Sequence, residues 1–275
     1  MNKKRLSLGK LLLNIVTAAM VLLTLFPLVW LLSTATKTKL DAFAIPPVFI
    51  YKPILESFKG VLGKNDFIAS YWNSLVVVAG VTLFSLVLGI PSAYAITRTR
   101  FKGAKFAGLW MILSRMVPPM GFVLPMYLIF SRLKMLDTYI ALVLVDLTVS
   151  LPFVTWLMMG FFKQVPEEIE DSARIDGCSR IETLFRITIP LVTPGIVTCA
   201  IFSFITSWNE YFYALIISGR NTRTAPVVIQ GFVSFSGLNW GQLSAAGLLV
   251  ALPVLLFSLF VQRGLVKGLM GGGIK

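Results

Sequence analysis

The residues of this chain that could do chemistry are concentrated in one polar segment, 164–190, which lies between two long apolar stretches. Its first part is acidic and runs from Pro166 to Gly177, and its second part opens with Ser179 and Glu182. Carboxylates near a helix N-terminus, a glycine at the helix end and a Ser-x-x-Glu capping box predict two short helices joined by a sharp corner. Such a hairpin offers charged and apolar groups for docking on a partner.

The residue types exclude most kinds of active site. The chain has no histidine, so histidine-based proton transfer and zinc sites of the histidine type are excluded. The pair Gly268 and Gly273 has the spacing of a phosphate-binding loop but lacks the Lys-Ser/Thr that must follow. No serine nucleophile motif and no plausible pair of catalytic carboxylates occurs. We therefore predict a protein that is not an enzyme, with no catalytic residues, metal site or cofactor of its own.

Three ionisable residues, Arg115, Asp146 and Glu210, fall inside or at the ends of apolar runs. Charge within a membrane is costly unless it is paired or hydrated, so such residues usually face the interior of a helix bundle. Arg115 and Asp146 could pair with each other across two helices, or one of them could line a solute path. The sequence leaves both alternatives open.

The segment Trp208–Tyr211 places a flat apolar ring beside the polar side chains of Asn209, Glu210 and Tyr211. Sugars and polyols are bound by ring stacking combined with hydrogen bonds to their hydroxyl groups, so these residues are candidates for a solute path. An aromatic belt at the membrane interface is an equally good interpretation of the same segment.

The elements that position these residues are apolar enough to lie in a membrane. The mean hydropathy is +0.83, and 56% of the residues are hydrophobic while 13% are charged. Soluble domains have about 25% charged residues. Ranges 67–97, 187–209 and 224–262 contain no Asp, Glu, Lys or Arg, and a membrane helix needs roughly 20 apolar residues. We therefore predict an all-α polytopic membrane protein.

Six membrane-spanning helices are expected in a single transmembrane domain over residues 1–275, with the polar hairpin at 164–190. The expected spans are approximately 11–32, 74–96, 106–130, 139–161, 191–218 and 243–261.

The distribution of Lys and Arg predicts the orientation. Six spans put both termini on one side, and that side carries fifteen Lys and Arg residues against nine on the other. Because cytoplasmic loops are enriched in Lys and Arg, the termini and the hairpin are expected to be cytoplasmic. The net charge of +13 comes from short clusters between apolar runs, which argues against nucleic-acid binding.

The hairpin resembles a known motif. Asp171-Ser172-Ala173, three residues, Gly177, nine residues and Ile187-Thr-Ile-Pro190 are similar in order and spacing to the "EAA" loop of the membrane subunits of bacterial ABC importers. The family pattern is Glu-Ala-Ala, three residues, Gly, nine residues and Ile-x-Leu-Pro. This chain departs from it at a few positions: Asp171, Ser172, Ile189 and Cys178.

Other segments resemble the carbohydrate-uptake branch of that family, and the chain resembles the shorter, six-helix partner of a maltose-type permease pair. These segments are Asn73-Ser-Leu, Ala93-Tyr-Ala95, Pro118-Pro119, Pro125-Met-Tyr, Leu136-Asp-Thr138, Ser207-Trp-Asn-Glu-Tyr211 and the closing stretch from Gln262 to Lys275.

The resemblance implies a type I ABC importer permease fold in the bacterial inner membrane and a list of partners. These are a second permease subunit in a heterodimer, two ATPase subunits that bind ATP and Mg²⁺, an external solute-binding protein that could contact the 219–242 loop, and a sugar or polyol as substrate. The first hairpin helix would dock in a groove of an ATPase subunit. The residues implied in this coupling are Glu170, Asp171, Ser172, Ala173, Asp176, Gly177, Phe185 and Pro190.

Two other classes of protein are alternatives to this hypothesis. A self-contained secondary transporter with six helices would need its own coupling-ion site, and it offers no explanation for the hairpin spacing. An integral membrane enzyme is opposed by the lack of histidine and of a catalytic cluster.

Overall fold

The computed structural model describes residues 8–99, 101–234 and 237–271. Parts of three features described above lie outside these ranges. They are four of the fifteen Lys and Arg residues on the expected cytoplasmic side (positions 3–5 and Arg100), Phe235 of the 219–242 loop, and residues 272–275 of the closing stretch. Helices dominate the described chain, so the all-α prediction is confirmed apart from one short β ladder. Its strands, β1 (Val233–Ser234) and β2 (Gly237–Leu238), pair antiparallel with Val233 opposite Leu238.

The helices follow one another along the chain with few long connections. They are α1 (Leu8–Thr36), α2 (Lys39–Phe43), α3 (Glu56–Leu62), α4 (Asn65–Arg98), α5 (Ala104–Leu113), α6 (Pro119–Arg132), α7 (Tyr139–Gln164), α8 (Glu167–Ile175), α9 (Arg180–Thr183), a π-helical turn (Leu184–Thr188), α10 (Ile189–Leu191), α11 (Thr193–Trp208), α12 (Phe212–Ile217), α13 (Ala225–Ile229), a 3₁₀ turn (Gln230–Phe232) and α14 (Trp240–Gly271).

Within the described ranges, four helices are long and apolar enough to cross a bilayer: Gly9–Thr36, Asp66–Arg98, Tyr139–Gln164 and Trp240–Leu259. They contain or overlap four of the six expected spans. A fifth candidate is a pair of helical segments, Arg180–Leu191 and Thr193–Trp208, which are bent by 79° relative to each other. The count of six spans stays a prediction.

The expected span at 106–130 is not a single helix. It is divided between α5 and α6, and Pro118 at the start of α6 has an extended backbone with φ −64° and ψ 136°. The cause is the Pro118-Pro119 pair, because a residue that precedes proline is pushed out of the helical region. The expected span at 191–218 is also interrupted, since α11 ends at Trp208 and α12 begins at Phe212.

The described chain forms two compact units. The first comprises residues up to Asn65 together with Ile229–Ala251, and the second comprises Asp66–Val228 together with the chain from Leu252. In the first unit, the apolar residues of α1 are largely exposed. An exposed apolar helix of this length suits contact with lipid or with another membrane helix.

The second unit has two apolar clusters. One joins α4, α6, α7 and α12 around Val81, Leu142 and Ile217. The other joins α4, α7, α11 and the hairpin, and its members include Met158 and Leu184. The second cluster packs the hairpin against the membrane helices.

Close packing in the second unit depends on small residues. A Cβ atom added to Gly89 of α4 would lie 2.9 Å from Val154 Cγ1 of α7. Near it, the Ser150 hydroxyl lies 2.9 Å from that of Ser85 and 2.7 Å from that of Ser203, which links α4, α7 and α11. Small residues and interhelical hydroxyl bonds are what hold helices together in a membrane, where the hydrophobic effect gives no driving force.

Candidate functional site: the polar hairpin

The first helix of the hairpin, α8, has nine residues and ends in a Schellman motif. The Cys178 N–H donates to the Ala173 carbonyl (3.0 Å) and the Gly177 N–H donates to the Arg174 carbonyl (3.1 Å). Gly177 has φ +94°, the left-handed conformation that glycine adopts at low cost. The glycine corner predicted from the sequence is therefore present.

The second half of the hairpin begins with the predicted capping box. The Ser179 N–H donates to Glu182 Oε2 (2.9 Å), and the Glu182 N–H donates to Ser179 Oγ (3.3 Å). The backbone N–H of Ser179, its hydroxyl and the positive charge of Arg186 lower the pKa of the Glu182 carboxyl. Both ends of the corner are thus fixed by local hydrogen bonds.

In an α-helix, the spacing of Ile181, Leu184, Phe185 and Thr188 would give one shared stripe, but the structure divides these residues. Leu184 and Thr188 are buried, whereas Ile181 is 70% and Phe185 is 59% exposed. The physical reason is the π-helical turn at Leu184–Thr188, which has more residues per turn than an α-helix and changes which side chains share a face. The inner pair joins the core and the outer pair faces away from it.

Glu170 is the carboxylate that ties the hairpin to the membrane helices. It is 3% exposed, forms an ion pair with Arg98 of α4 (Nε to Oε1, 2.9 Å) and accepts a hydrogen bond from the Tyr94 hydroxyl (3.0 Å). The Arg98 Nη2 also donates to the carbonyls of Phe162 (2.8 Å) and Val165 (2.6 Å) at the end of α7. One arginine therefore joins α4, the end of α7 and α8.

The carboxylate next to it has a different setting. Asp171 is exposed and pairs with Arg174 one turn along the same helix, while Ser172 donates to the Glu168 carbonyl (2.8 Å). Asp176 caps the C-terminal end of α8. Of the residues implied in coupling, Glu170 and Ala173 face inward, while a larger group faces outward: Asp171, Ser172, Asp176, Gly177, Phe185 and Pro190.

The outward side of the hairpin carries large apolar groups beside these polar ones. Ile175 is 87% exposed, and Ile181 and Phe185, which are four residues apart, are also exposed. We call Ile175, Ile181 and Phe185 the outer apolar triad. Apolar groups on a fixed polar scaffold, rimmed by charge, are typical of a protein–protein contact.

Arg115 and Asp146 do not pair with each other. The Arg115 guanidinium lies 4.2 Å from the centre of the Phe153 ring, and Asp146 accepts a hydrogen bond from the Ser207 hydroxyl (2.7 Å). Arg115 follows the short helix α5, whereas Asp146 lies within α7 and is buried. Of the two alternatives that the sequence left open, the ion pair is therefore not formed, because each group has a different partner.

The Trp208–Tyr211 segment forms a break between two helices. Trp208 is 1% exposed, and its ring is 5.9 Å from that of Phe204. The two oxygens of Glu210 accept from the backbone N–H groups of Tyr213 (2.8 Å) and Ala214 (3.0 Å), so this carboxylate caps α12. Asn209 is exposed, and its amide donates to the Ile205 carbonyl (3.0 Å).

Sequence reasoning missed a second network, at the ends of helices distant from the hairpin in sequence. Asp137 accepts from the N–H groups of Gly219 and Thr222 (2.9 Å each) and from the Thr222 hydroxyl (2.8 Å). The Asn73 amide donates to the carbonyls of Asn221 and Arg223 (2.9 Å each). Both residues belong to segments that carry the family resemblance, and that resemblance was the available signal.

The hydrogen bonds to Asp137 change its acidity. Partial burial would raise the pKa of the Asp137 carboxyl, but the hydroxyl of Thr222 and the N–H groups of Asn221, Gly219 and Thr222 favour the charged form and lower the pKa overall. The 219–222 loop is therefore organised around one carboxylate.

Apolar helices long enough to cross a bilayer, together with a polar hairpin fixed to two of them, define a multi-pass membrane protein. The family described as "binding-protein-dependent transport system inner membrane component" matches residues 85–270. The chain belongs to this family of ABC importer permeases.

Relatives match along nearly the whole chain. The diacetylchitobiose uptake system permease protein DasC of Streptomyces coelicolor is 33% identical over 99% of this chain and 99% of its own length. The trehalose/maltose transport system permease protein MalG of Thermococcus litoralis is 31% identical over 98% of both chains. These proteins are transport components, so the expectation that the chain is not itself an enzyme is confirmed.

Solved structures show the same fold. A chain of a bacterial ABC transporter involved in the import of the acidic polysaccharide alginate superimposes with a TM-score of 0.79 at 19% identity, covering 96% of this chain and 98% of that one. A chain of the MetNI methionine ABC transporter gives a TM-score of 0.60 at 16% identity, covering 74% of this chain and 95% of that one.

The type I permease fold predicted from the sequence is confirmed, and so is an inner-membrane, multi-pass protein. The comparisons favour an ABC permease over a self-contained secondary transporter.

Proposed function

We propose that this chain is one of two non-identical permease subunits of an importer for a sugar or polyol, with both termini and the hairpin in the cytoplasm. The relatives named for diacetylchitobiose and for trehalose/maltose support the substrate class. Two ATPase subunits that bind ATP and Mg²⁺ and an external solute-binding protein complete the complex.

The observation that carries this proposal is the way the hairpin is fixed. The outer apolar triad and Asp171 face outward, where a groove of an ATPase subunit would receive them. Glu170 and Arg98 face inward and hold the same helix to α4 and to the end of α7. A movement of the ATPase subunits would therefore reach the membrane helices through a stiff connection, as rigid-body alternating access requires.

The polar residues within the membrane region have different places in this scheme. Asp146 and Glu210 line a small cavity of about 10 Å³ together with Ser207 and Thr224, a volume that fits one water molecule and no sugar. We propose that these residues shape the helix break beside the solute path. Asn209, which is exposed, is the better candidate for touching the solute, and Tyr211 and Arg115 stay as further candidates.

The loop that follows α12 is a candidate contact for the external solute-binding protein. Arg220 and Arg223 are exposed and line a cavity of about 280 Å³ together with Asp66 and Asn73. Asn73 holds the backbone of this loop in place, so the two guanidinium groups project from a fixed base. An acidic surface on the partner would complement them.

The coupling role is tested by Glu170→Gln, which keeps the shape of the side chain and removes its charge. The variant leaves Arg98 without its buried partner, so the hairpin is held less firmly. We expect solute uptake per ATP hydrolysed to fall about tenfold, because part of the ATP hydrolysis no longer moves the membrane helices. The assay measures uptake and ATP hydrolysis by the reconstituted complex.

The matched control is Glu168→Gln, which removes an exposed carboxylate of the same helix. Its uptake per ATP should equal that of the parent. If Glu170→Gln also keeps the parent ratio, then the inward connection does not transmit movement and this part of the proposal fails.

A further inference from the structure

The first unit contains a cavity of about 140 Å³ that has no part in the coupling described above. Its charged lining residues are Lys37, Lys39 and Glu56, and its wall also includes Asn239 and Trp240. The cavity is therefore polar and carries both signs of charge.

Part of the cavity wall comes from the ends of two candidate membrane spans. Lys37 directly follows the candidate span Gly9–Thr36, and Trp240 is the first residue of the candidate span Trp240–Leu259. A wall built from the ends of two spans is where the hydrocarbon meets the lipid headgroups. Trp and Lys are both typical of that zone.

Lys37 is a buried ammonium group that lacks a carboxylate partner among the residues described. It is 6% exposed, and its Nζ lies 5.6 Å from the centre of the Trp30 ring and 5.0 Å from that of Tyr51. Aromatic faces stabilise a cation only in part. A buried charge without an opposite charge is costly, so an anion in the cavity would be strongly favoured.

Glu56 gives the same cavity a site of opposite sign. Its carboxylate is exposed at the start of α3 and forms no ion pair within the described part of the chain. Trp240 lines the same cavity, and an aromatic ring can stabilise a cation. A ligand with one phosphate and one ammonium group would match both signs of charge in the lining.

The walls are held in place by close packing of glycines. A Cβ atom on Gly60 of α3 would collide with the side-chain amide of Gln242, and one on Gly241 would collide with the Ser57 hydroxyl. The α3 helix and the start of α14 are therefore in contact along one wall of the cavity.

Exposed apolar side chains occur at the edge of the cavity and in the chain segment that follows. Phe43, which lines it, is 50% exposed, and the segment that follows exposes Ile45 (96%), Phe49 (75%) and Ile50 (96%). Apolar groups at this density belong in the boundary between headgroups and acyl chains. They would pack against the chains of a lipid whose headgroup enters the cavity.

We propose that this cavity is a binding site for a zwitterionic phospholipid headgroup of the phosphoethanolamine type. Lys37 and Lys39 bind the phosphate, Glu56 and the Trp240 ring bind the ammonium group, and the neighbouring apolar residues contact the acyl chains. The site depends only on the chain spanning a membrane and does not require the substrate or the coupling partner proposed above.

Native mass spectrometry of the full chain, purified in detergent and supplied with phosphatidylethanolamine, tests the site. We expect Lys37→Gln to reduce the retained lipid about tenfold, since a hydrogen bond to a charged group contributes roughly 1.5 kcal/mol or more. Glu56→Gln should abolish the preference for phosphatidylethanolamine over phosphatidylglycerol while leaving the protein folded, because Glu56 is exposed. Lys52→Gln, which removes an exposed cation outside the cavity, is the control and should change neither quantity.

Three results would overturn the proposal. Lipid retention could be equal in the parent and in both cavity variants. Inorganic phosphate alone could displace the lipid at millimolar concentration, which would make the site one for a free anion. The lipid could also be lost whenever a partner permease is present, which would assign the surface to that partner. If Lys37→Gln fails to fold, the lipid preference of Glu56→Gln decides the question.

Discussion

Single residues decide how the hairpin works. Glu170 and Asp171 are neighbours of the same type, yet one is buried in an ion pair with Arg98 and the other is exposed. Both fit an acidic helix start, so the sequence alone does not separate them. Burial does, and buried Glu170 has its contacts with Arg98 and Tyr94 of α4.

Gly177 offers the sharpest test at this scale. We expect Gly177→Val to leave the protein in the membrane and to abolish the coupling of uptake to ATP hydrolysis. A β-branched residue in the left-handed region costs about 1–2 kcal/mol or more, and nothing within 4 Å of the added Cβ would otherwise obstruct it. Uptake and ATP hydrolysis by the reconstituted complex are the measurements.

Two controls accompany this variant. Gly160→Val makes the same change at a helical glycine with equally open surroundings and an ordinary φ, and it should keep coupling. Gly177→Asn should keep most of it, because asparagine tolerates positive φ. A fully coupled Gly177→Val would remove the corner from the mechanism.

At the scale of elements, patterns within a short window predicted the structure well. The Schellman corner and the capping box need only the residues within one helical turn, and both are present. The third expected span, 106–130, is divided between α5 and α6 at Pro118-Pro119. Hydropathy alone does not show where a helix ends. The Asp137 network joins residues more than 80 positions apart, so no local pattern could reveal it.

The Asp137 network predicts a dependence of stability on pH. The folded-state pKa of Asp137 is lowered, so its contribution is fully present above the ordinary aspartate pKa of about 3.9 and is lost as the pH falls through the lowered value. Asp137→Asn should be less stable than the parent by about 1 kcal/mol at pH 7, a figure reduced for its partial exposure. The difference should start to shrink as the pH falls below about 3.9.

Thermal unfolding of the detergent-purified chain between pH 3 and 7 provides the measurement. Asp66→Asn, which removes an exposed carboxylate, should follow the parent at every pH. A gap between Asp137→Asn and the parent that stays constant to pH 3 would show that the loop does not depend on the charged carboxylate.

At the scale of the whole molecule, the orientation of the hairpin in the membrane can be measured by labelling a native cysteine. The chain has two cysteines, of which Cys178 in the hairpin is partly exposed and Cys199 is buried. A membrane-impermeant maleimide should label Cys178 only after the inner membrane is permeabilised. Lys52→Cys combined with Cys178→Ser should be labelled without that step, because position 52 is exposed and is expected outside. The reverse pattern would invert the predicted topology.

The central claim is that the outward side of the hairpin rests on a separate ATPase subunit. A photo-crosslinking residue introduced at position 185, in the outer apolar triad, tests this contact in the assembled complex, and one at position 83, an exposed site in the middle of α4, is the control. We expect position 185 to give a crosslink to the ATPase subunit and position 83 to give none. Crosslinks from position 185 to lipid alone would contradict the claim.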